Sequence, residues 1–348
     1  MNTINTTKEI PIFFATDDNY APFLTVSLNS LLQNASKDYF YKIYVLTTNL
    51  DPVIQGRIKQ VLTPNSTIEF ISLKNELDKI QDLFHLRDYY SKETYYRFFI
   101  PDLFPDYDKV LYLDCDIIVL DDISKLYNTD IKDYYAAAAV EEVMQTVKVF
   151  GDYTVKNLGV PTETYFNAGV LLINNKRFLK FKVAEKFVEL SKQYTFRVTQ
   201  DEDYLNVLLK NKVKLVDLGW NKTAYKNPEF NDADLKLIHY KINWKPWHYD
   251  NVLYQDYFWK YAKETDFYEE ILAMRDAYGE DLKARDQKQY ENLVQMAIED
   301  SNNPNNYCNT VVKFENQKAK GLERINNLNF ISKLIGLKGR ILNGNSDK

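Results

Sequence analysis

Apolar and polar positions at the start of the chain follow two alternating periods. Residues 10–16 form a short apolar run closed by Asp17-Asp18-Asn19-Tyr20, after which Leu24, Leu28, Leu31 and Ala35 recur at spacings of three and four. That order predicts strand, loop, helix. It repeats: residues 42–46 are strand-like, Asp51-Pro52 opens a helix carrying Ile54, Ile58, Val61 and Leu62, and residues 67–71 return to a strand pattern. Such alternation implies an α/β fold, a mainly parallel sheet with helices on both faces. Further strands are expected at 109–113, 134–140, 168–173, 213–216 and 235–239. Residues 141–166 read as a long irregular loop facing a substrate. From about Asp256 the chain turns helical and charged. A catalytic domain over 1–255 and a helical C-terminal extension over 256–348 are therefore expected.

Length and composition narrow the class. A chain of 348 residues holds one large α/β domain with an extension, or two modest domains. With 45% hydrophobic and 15% aromatic residues it is a folding sequence and not a disordered one. The net charge of -5 argues against a nucleic-acid partner. That average hides an asymmetry, because residues 311–348 carry eight Lys/Arg against three acids, a local +5 that leaves -10 on the remainder. In this tail Leu322, Ile325, Leu328, Ile331 and Ile335 are interleaved with Arg324, Lys333, Lys338 and Arg340. The pattern suits a basic amphipathic helix, either lying on an anionic membrane as a peripheral contact or packed on the core or another subunit. Two cysteines, Cys115 and Cys308, supply no disulfide framework and fit a reducing cytoplasm. The first 20 residues lack the pattern of a signal peptide, and no run approaches the roughly 20 apolar residues of a membrane span.

Many open α/β sheets cradle phosphate with a glycine-rich turn. Here the ten glycines form neither G-x-G-x-x-G nor G-K-[ST], so a diphosphate needs a cation instead. Asp114 and Asp116 follow the strand at 109–113 and, two apart in extended chain, project to the same side. Their oxygens suit a hard ion, Mn²⁺ or Mg²⁺, which would neutralise a pyrophosphate and stabilise a leaving nucleotide. A solvated turn is the alternative for an isolated Asp-x-Asp.

Six ordered motifs accompany this pair. They are Phe14-Ala15-Thr16-Asp17-Asp18-Asn19-Tyr20, Thr94-Tyr95-Tyr96-Arg97, Val110-Leu111-Tyr112-Leu113-Asp114-Cys115-Asp116, Tyr165-Phe166-Asn167-Ala168-Gly169-Val170, Gln200-Asp201-Glu202-Asp203-Tyr204-Leu205-Asn206, and His239-Tyr240 followed by Lys245-Pro246-Trp247-His248. In this set the chain resembles glycosyltransferase family 8, retaining enzymes that include bacterial lipopolysaccharide galactosyltransferases and glycogenins. The resemblance covers most of residues 10–250. It implies a GT-A fold and a UDP-hexose donor. By the same resemblance Asp17 and Asn19 contact the uridine, Tyr20 stacks on the base, and Ala15 and Cys115 join the substrate-binding set. His239 looks like the third metal ligand, and Lys245 meets the diphosphate as a point charge. Arg97, Asn167, Ala168 and Asp201 would hold the donor sugar, with Glu141 at the sugar or acceptor, where relatives tend to place an aspartate. Read without the family, Tyr20 is a core ring, Asn167 a loop end and Arg97 the partner of a surface acid.

Glycosyl transfer passes through an oxocarbenium-like transition state, which requires leaving-group stabilisation and a polar or negative group near the anomeric carbon. Relatives often have glutamine after the aspartate, whereas this chain has Glu202. A carboxylate there would serve as nucleophile for double displacement, and a neutral group would favour front-face transfer. Locally, Thr199-Gln200-Asp201-Glu202 also reads as a capping box. Two other functions compete, a non-catalytic sugar-nucleotide sensor and a sugar-nucleotide pyrophosphorylase. The pyrophosphorylase would show a glycine-rich basic loop where Asp17-Asp18-Asn19-Tyr20 stands. The acceptor, whether glycan, lipid-linked or protein, has no signature here.

Overall fold

A computed structural model describes residues 8–74 and 92–313. Its strands, in chain order among the described residues, are β1 (Lys8–Ala15), β2 (Tyr39–Thr47), β3 (Ser66–Ser72), β4 (Lys109–Leu113), β5 (Ile117–Val119), β6 (Ala136–Ala139), β7 (Val170–Asn174), β8 (Val213–Val216), β9 (Lys222–Thr223) and β10 (Leu237–His239). The larger sheet runs β3-β2-β1-β4-β7-β6-β8. Only β7 in it is reversed, antiparallel to both β4 and β6. The expected mainly parallel sheet is therefore present. A smaller sheet, β5-β10-β9, lies at its margin.

Both faces of the larger sheet are buried at its central strands, and alternation along these strands divides them. On β1, Ile10, Ile12 and Phe14 enter one apolar cluster and Phe13 the other; on β4, Leu111 and Leu113 part from Val110 and Tyr112 in the same way. The helix Ala21–Asn34 covers the first face through Leu24, Leu28 and Leu31. Helices Val183–Ser191 and Asp201–Leu208 cover the second through Phe187, Tyr204 and Leu205. The helix Pro52–Ile58 starts where expected, because Asp51 Oδ1 accepts from Val53 N at 2.7 Å and Pro52 needs no donor partner in a first turn.

The reading of 141–166 as irregular is corrected. This stretch contains helices Glu142–Thr146 and Lys148–Tyr153, a π-turn Thr154–Leu158 and a 3₁₀ turn Thr162–Thr164. Its elements are too short to establish a period, and Gly159 and Pro161 punctuate them. Phe150, Tyr153 and Leu158 are nevertheless buried.

Among the described residues, three α-helices follow residue 250: Gln255–Ala262, Tyr268–Asp276 and Glu280–Asn302. Phe258, Tyr261, Phe267 and Ile271 belong to the core beneath Ala21–Asn34, and Asn29 Nδ2 donates to Tyr261 O at 3.0 Å. Leu293 and Ala297 join the opposite cluster. The expected basic helix falls in 314–348, outside the described residues. No helix among the described residues is long and apolar enough to cross a membrane.

Candidate active site

The site forms where β4 gives way to β5. Leu113 ends β4 and the chain bends through Asp114, Cys115 and Asp116 instead of running on extended, but alternation persists. The Cys115 thiol turns inward and donates to Ala15 O at 3.2 Å, while both carboxylates face outward. β10 pairs antiparallel with β5, His239 opposite Ile117, and Tyr240 N donates to Asp116 O at 2.9 Å. The candidate third ligand, from late in the chain, is thus fixed beside the two aspartates by backbone pairing. His239 Nε2 lies 3.1 Å from Asp116 Oδ1 and 3.8 Å from Asp114 Oδ2.

These residues fit a divalent cation. Asp114, Asp116 and His239 each present one ligand atom, all within 4.8 Å of one another. Two carboxylate oxygens and an imidazole nitrogen are the donors expected for Mn²⁺, and Mg²⁺ would use the oxygens. Gly169 leaves the space open, since a β-carbon on it would lie 2.4 Å from both Asp114 Oδ2 and His239 Cε1.

Around the triad, buried cations pair with the carboxylates. Arg97, nearly buried, donates to Asp114 Oδ1 at 2.9 Å, pairs through Nε with Asp201 Oδ2 at 3.2 Å, and bonds Ala168 O. Its guanidinium also lies over the Tyr112 ring, 4.3 Å from the centroid. Burial disfavours its charge, but Asp114 and Asp201 outweigh burial and hold it firmly protonated. Lys245 bonds Asp116 Oδ2 and Tyr240 O. Burial alone would raise the Asp116 carboxyl; Lys245 and His239 instead hold it below the usual carboxylate range.

The same cleft is lined by a carboxylate cluster, Glu141, Asp201 and Glu202. Burial pushes Asp201 up to about 6 against the pull of Arg97. Glu202 Oε2 accepts from Ala168 N and from Asn167 Nδ2, both at 2.9 Å, and Asn167 Nδ2 also reaches Glu141 Oε2 at 2.6 Å. Lys241 pairs with both oxygens of Glu141. Burial opposes the Glu141 charge, yet Lys241 outweighs it and keeps Glu141 below its ordinary range. Burial, with Glu141 beside it, moves Glu202 the other way, well above that range.

The capping box expected at Thr199 does not form. The helix starts one residue later at Asp201, after a positive-φ Gln200, and the Thr199 hydroxyl bonds Tyr165 at 2.6 Å. Asp203 Oδ2 accepts from Thr199 N at 3.1 Å instead. Glu202 is thereby left to turn toward Asn167.

One cleft collects Arg97, Asp114, Asp116, Glu141, Asn167, Asp201, Glu202, His239 and Lys245. An adjoining recess holds Ala15, Asp17, Tyr20 and Cys115, and shares Arg97, Asp114 and Asp116 with the cleft. Asp17 Oδ1 accepts from Tyr20 N at 2.9 Å, which braces that loop. Asn19 stands apart from both, in a third hollow with Tyr20, Trp247 and Lys245. Ala168 contributes backbone atoms. Sequence reading missed Lys241 and Asn221. Asn221, on the 3₁₀ turn Leu218–Asn221, meets His239 Nδ1 at 2.9 Å, and neither residue carries a motif of its own.

The pattern described as "Glycosyl transferase family 8" matches residues 11–251. General stress protein A of Bacillus subtilis is 30% identical over 272 residues, covering 72% of this chain and 91% of that protein. Lipopolysaccharide 1,3-galactosyltransferase of Salmonella typhimurium is 29% identical over 255 residues, 68% of this chain and 72% of that one. Among solved structures, galactosyltransferase LgtC, in complex with donor and acceptor sugar analogs, superposes with a TM-score of 0.61 at 28% identity, covering 74% of this chain and 96% of that chain.

Proposed function

The chain belongs to glycosyl transferase family 8 and is a glycosyltransferase of GT-A fold, and from that premise we propose that it moves a hexose, glucose or galactose, from a UDP-sugar to a glycan, lipid-linked or protein acceptor with retention at the anomeric carbon. One observation carries this reading: Asp114, Asp116 and His239 converge in a cleft that Asn167, Asp201 and Glu202 also line. A relative named for galactosyl transfer to lipopolysaccharide supports the substrate class.

In this reading the recess at Asp17 and Tyr20 receives uridine, the base against the Tyr20 ring. Asp114, Asp116 and His239 would hold a divalent ion, Mn²⁺ before Mg²⁺, whose charge would neutralise the diphosphate of the leaving UDP. Lys245 trades its bond to Asp116 for the diphosphate, adding a second positive charge to the leaving group. Arg97 holds Asp201, and Asp201 with Asn167 orients the sugar hydroxyls. Glu202 keeps its proton, because burial and Glu141 both disfavour its charge, and so acts as the neutral hydrogen-bonding group that favours front-face transfer. The division at residue 255 belongs to the same proposal. The extension then serves the catalytic domain as a wall, since Leu293 lines the cleft.

The test is incubation of the protein with UDP-glucose and UDP-galactose separately, with Mn²⁺ or with chelator, reading UDP release. Metal-dependent release from one donor is expected. Equal, negligible release from both, with and without added acceptor glycans, would contradict the proposal.

A further inference from the structure

One backbone amide determines the proton position on a metal-ligand candidate three links away. Gly169 N can only donate, and it donates to Asn167 Oδ1 at 2.9 Å. The Asn167 amide is thereby oriented, with Nδ2 toward Oε2 of Glu141 and of Glu202, which accept from it. Whatever else meets Asn167 Oδ1 must be a donor. The group there is the Asn221 amide, 2.6 Å away, so Asn221 presents Nδ2 to Asn167 and Oδ1 to His239. An amide oxygen accepts and never donates. His239 Nδ1, 2.9 Å from Asn221 Oδ1, therefore carries a hydrogen. Asn221, Asn167 and His239 are all buried, so water does not compete for these bonds.

Resting on the reading of Asp114, Asp116 and His239 as a metal centre, we propose that Asn221 is a positioning residue that keeps the proton of His239 on Nδ1, so that Nε2 is the nitrogen offered to the cation, and that ties this choice through Asn167 to the carboxyl groups of Glu141 and Glu202. The geometry suits the role. Nε2 is the nitrogen facing Asp116 Oδ1 and Asp114 Oδ2, and Nδ1 points away from both. A partner on the far nitrogen fixes the ring of a metal-bound histidine and raises its basicity. Here the partner is a neutral amide with a second hydrogen bond to give. The side chain that selects the tautomer thus also holds the residue bonded to Glu202.

Substitution at 221 separates the two bonds. Asn221→Leu removes both. Asn221→Asp keeps an acceptor for His239 but sets a carboxylate against Asn167 Oδ1, and so breaks only the second. Mn²⁺ binding by the full-length protein, read by electron paramagnetic resonance, should fall about 10- to 100-fold in Asn221→Leu. In Asn221→Asp it should stay within threefold of wild type while turnover with UDP-sugar falls. The histidine ¹⁵N spectrum, with the His239 signal assigned by its loss in His239→Gln, should show hydrogen on Nδ1 in both the metal-free and the Mg²⁺-loaded protein. Circular dichroism confirms that each variant is folded. Wild-type Mn²⁺ affinity in folded Asn221→Leu, or a His239 signal with hydrogen on Nε2 alone, would overturn the proposal. Wild-type protein that takes up no Mn²⁺ would sink the metal centre itself, a distinct result.

Discussion

Gly169 lies so close to His239 that a β-carbon on it would stand 2.4 Å from the imidazole Cε1. The same β-carbon would meet Asp114 Oδ2 at 2.4 Å, so the smallest side chain pushes two proposed ligands apart at once. Gly169→Ala should lose at least about tenfold in Mn²⁺ affinity. Its fold should survive, because Gly169 shows no positive φ and the strain is confined to the site. Mn²⁺ titration beside a thermal melt checks both halves.

Arg97 compensates two carboxylates at little exposure. Arg97→Met leaves Asp114 and Asp201 facing each other without the guanidinium, and should destabilise the protein by about 3–5 kcal/mol. Urea unfolding measures this. Arg97→Lys should recover only part, because a point charge cannot reach Asp114, Asp201 and the Ala168 carbonyl together.

Much of this was legible in the sequence, and the exceptions share a cause. β1 and β2 lie within a few residues of their expected places, because buried parallel strands are apolar runs bounded by polar turns. The aspartates, His239 and Lys245 stood in motifs. Asn221 and Lys241 did not, since their roles come from what the fold sets beside them, His239 and Glu141. Glu202 was read two ways because local capping and a long-range bond compete for one side chain, and the tertiary partner Ala168 N prevailed. Helices of five and six residues at 142–153 cannot complete enough turns for their period to be seen.

Glu202 offers a test of protonation that needs no substrate. Its folded pKa is raised above that of an unfolded glutamate, so the native state holds a proton that the unfolded chain releases. Stability therefore falls as pH rises from the unfolded value of about 4.3 toward the raised native one. Glu202→Gln lacks this titration while its side-chain oxygen still accepts from Ala168 N. Thermal melts of metal-free protein should show the variant gaining on wild type across that window, with no gain at lower pH. A gap independent of pH would contradict the assignment.

The same substitution bears on mechanism. If Glu202 acts as a neutral group, Glu202→Gln should keep turnover within about tenfold of wild type, about 1.4 kcal/mol in barrier. A loss of a thousandfold or more would instead mark an obligatory nucleophile.

Tyr20 should carry the base. Tyr20→Ala is expected to weaken UDP binding by about 1–3 kcal/mol, the range for a base losing an aromatic platform. Calorimetric titration reads it, and unchanged affinity would return Tyr20 to a packing role against Phe23.

The central claim is that Asp114, Asp116 and His239 hold a nucleotide diphosphate through a cation. Calorimetric titration of UDP into wild-type protein tests it most directly, run once with Mn²⁺ and once with chelator, and repeated with His239→Ala. Tight binding with Mn²⁺, lost by about 100-fold in chelator and in the variant alike, is the predicted result. Equal UDP affinity in all three, or none in any, would contradict the account.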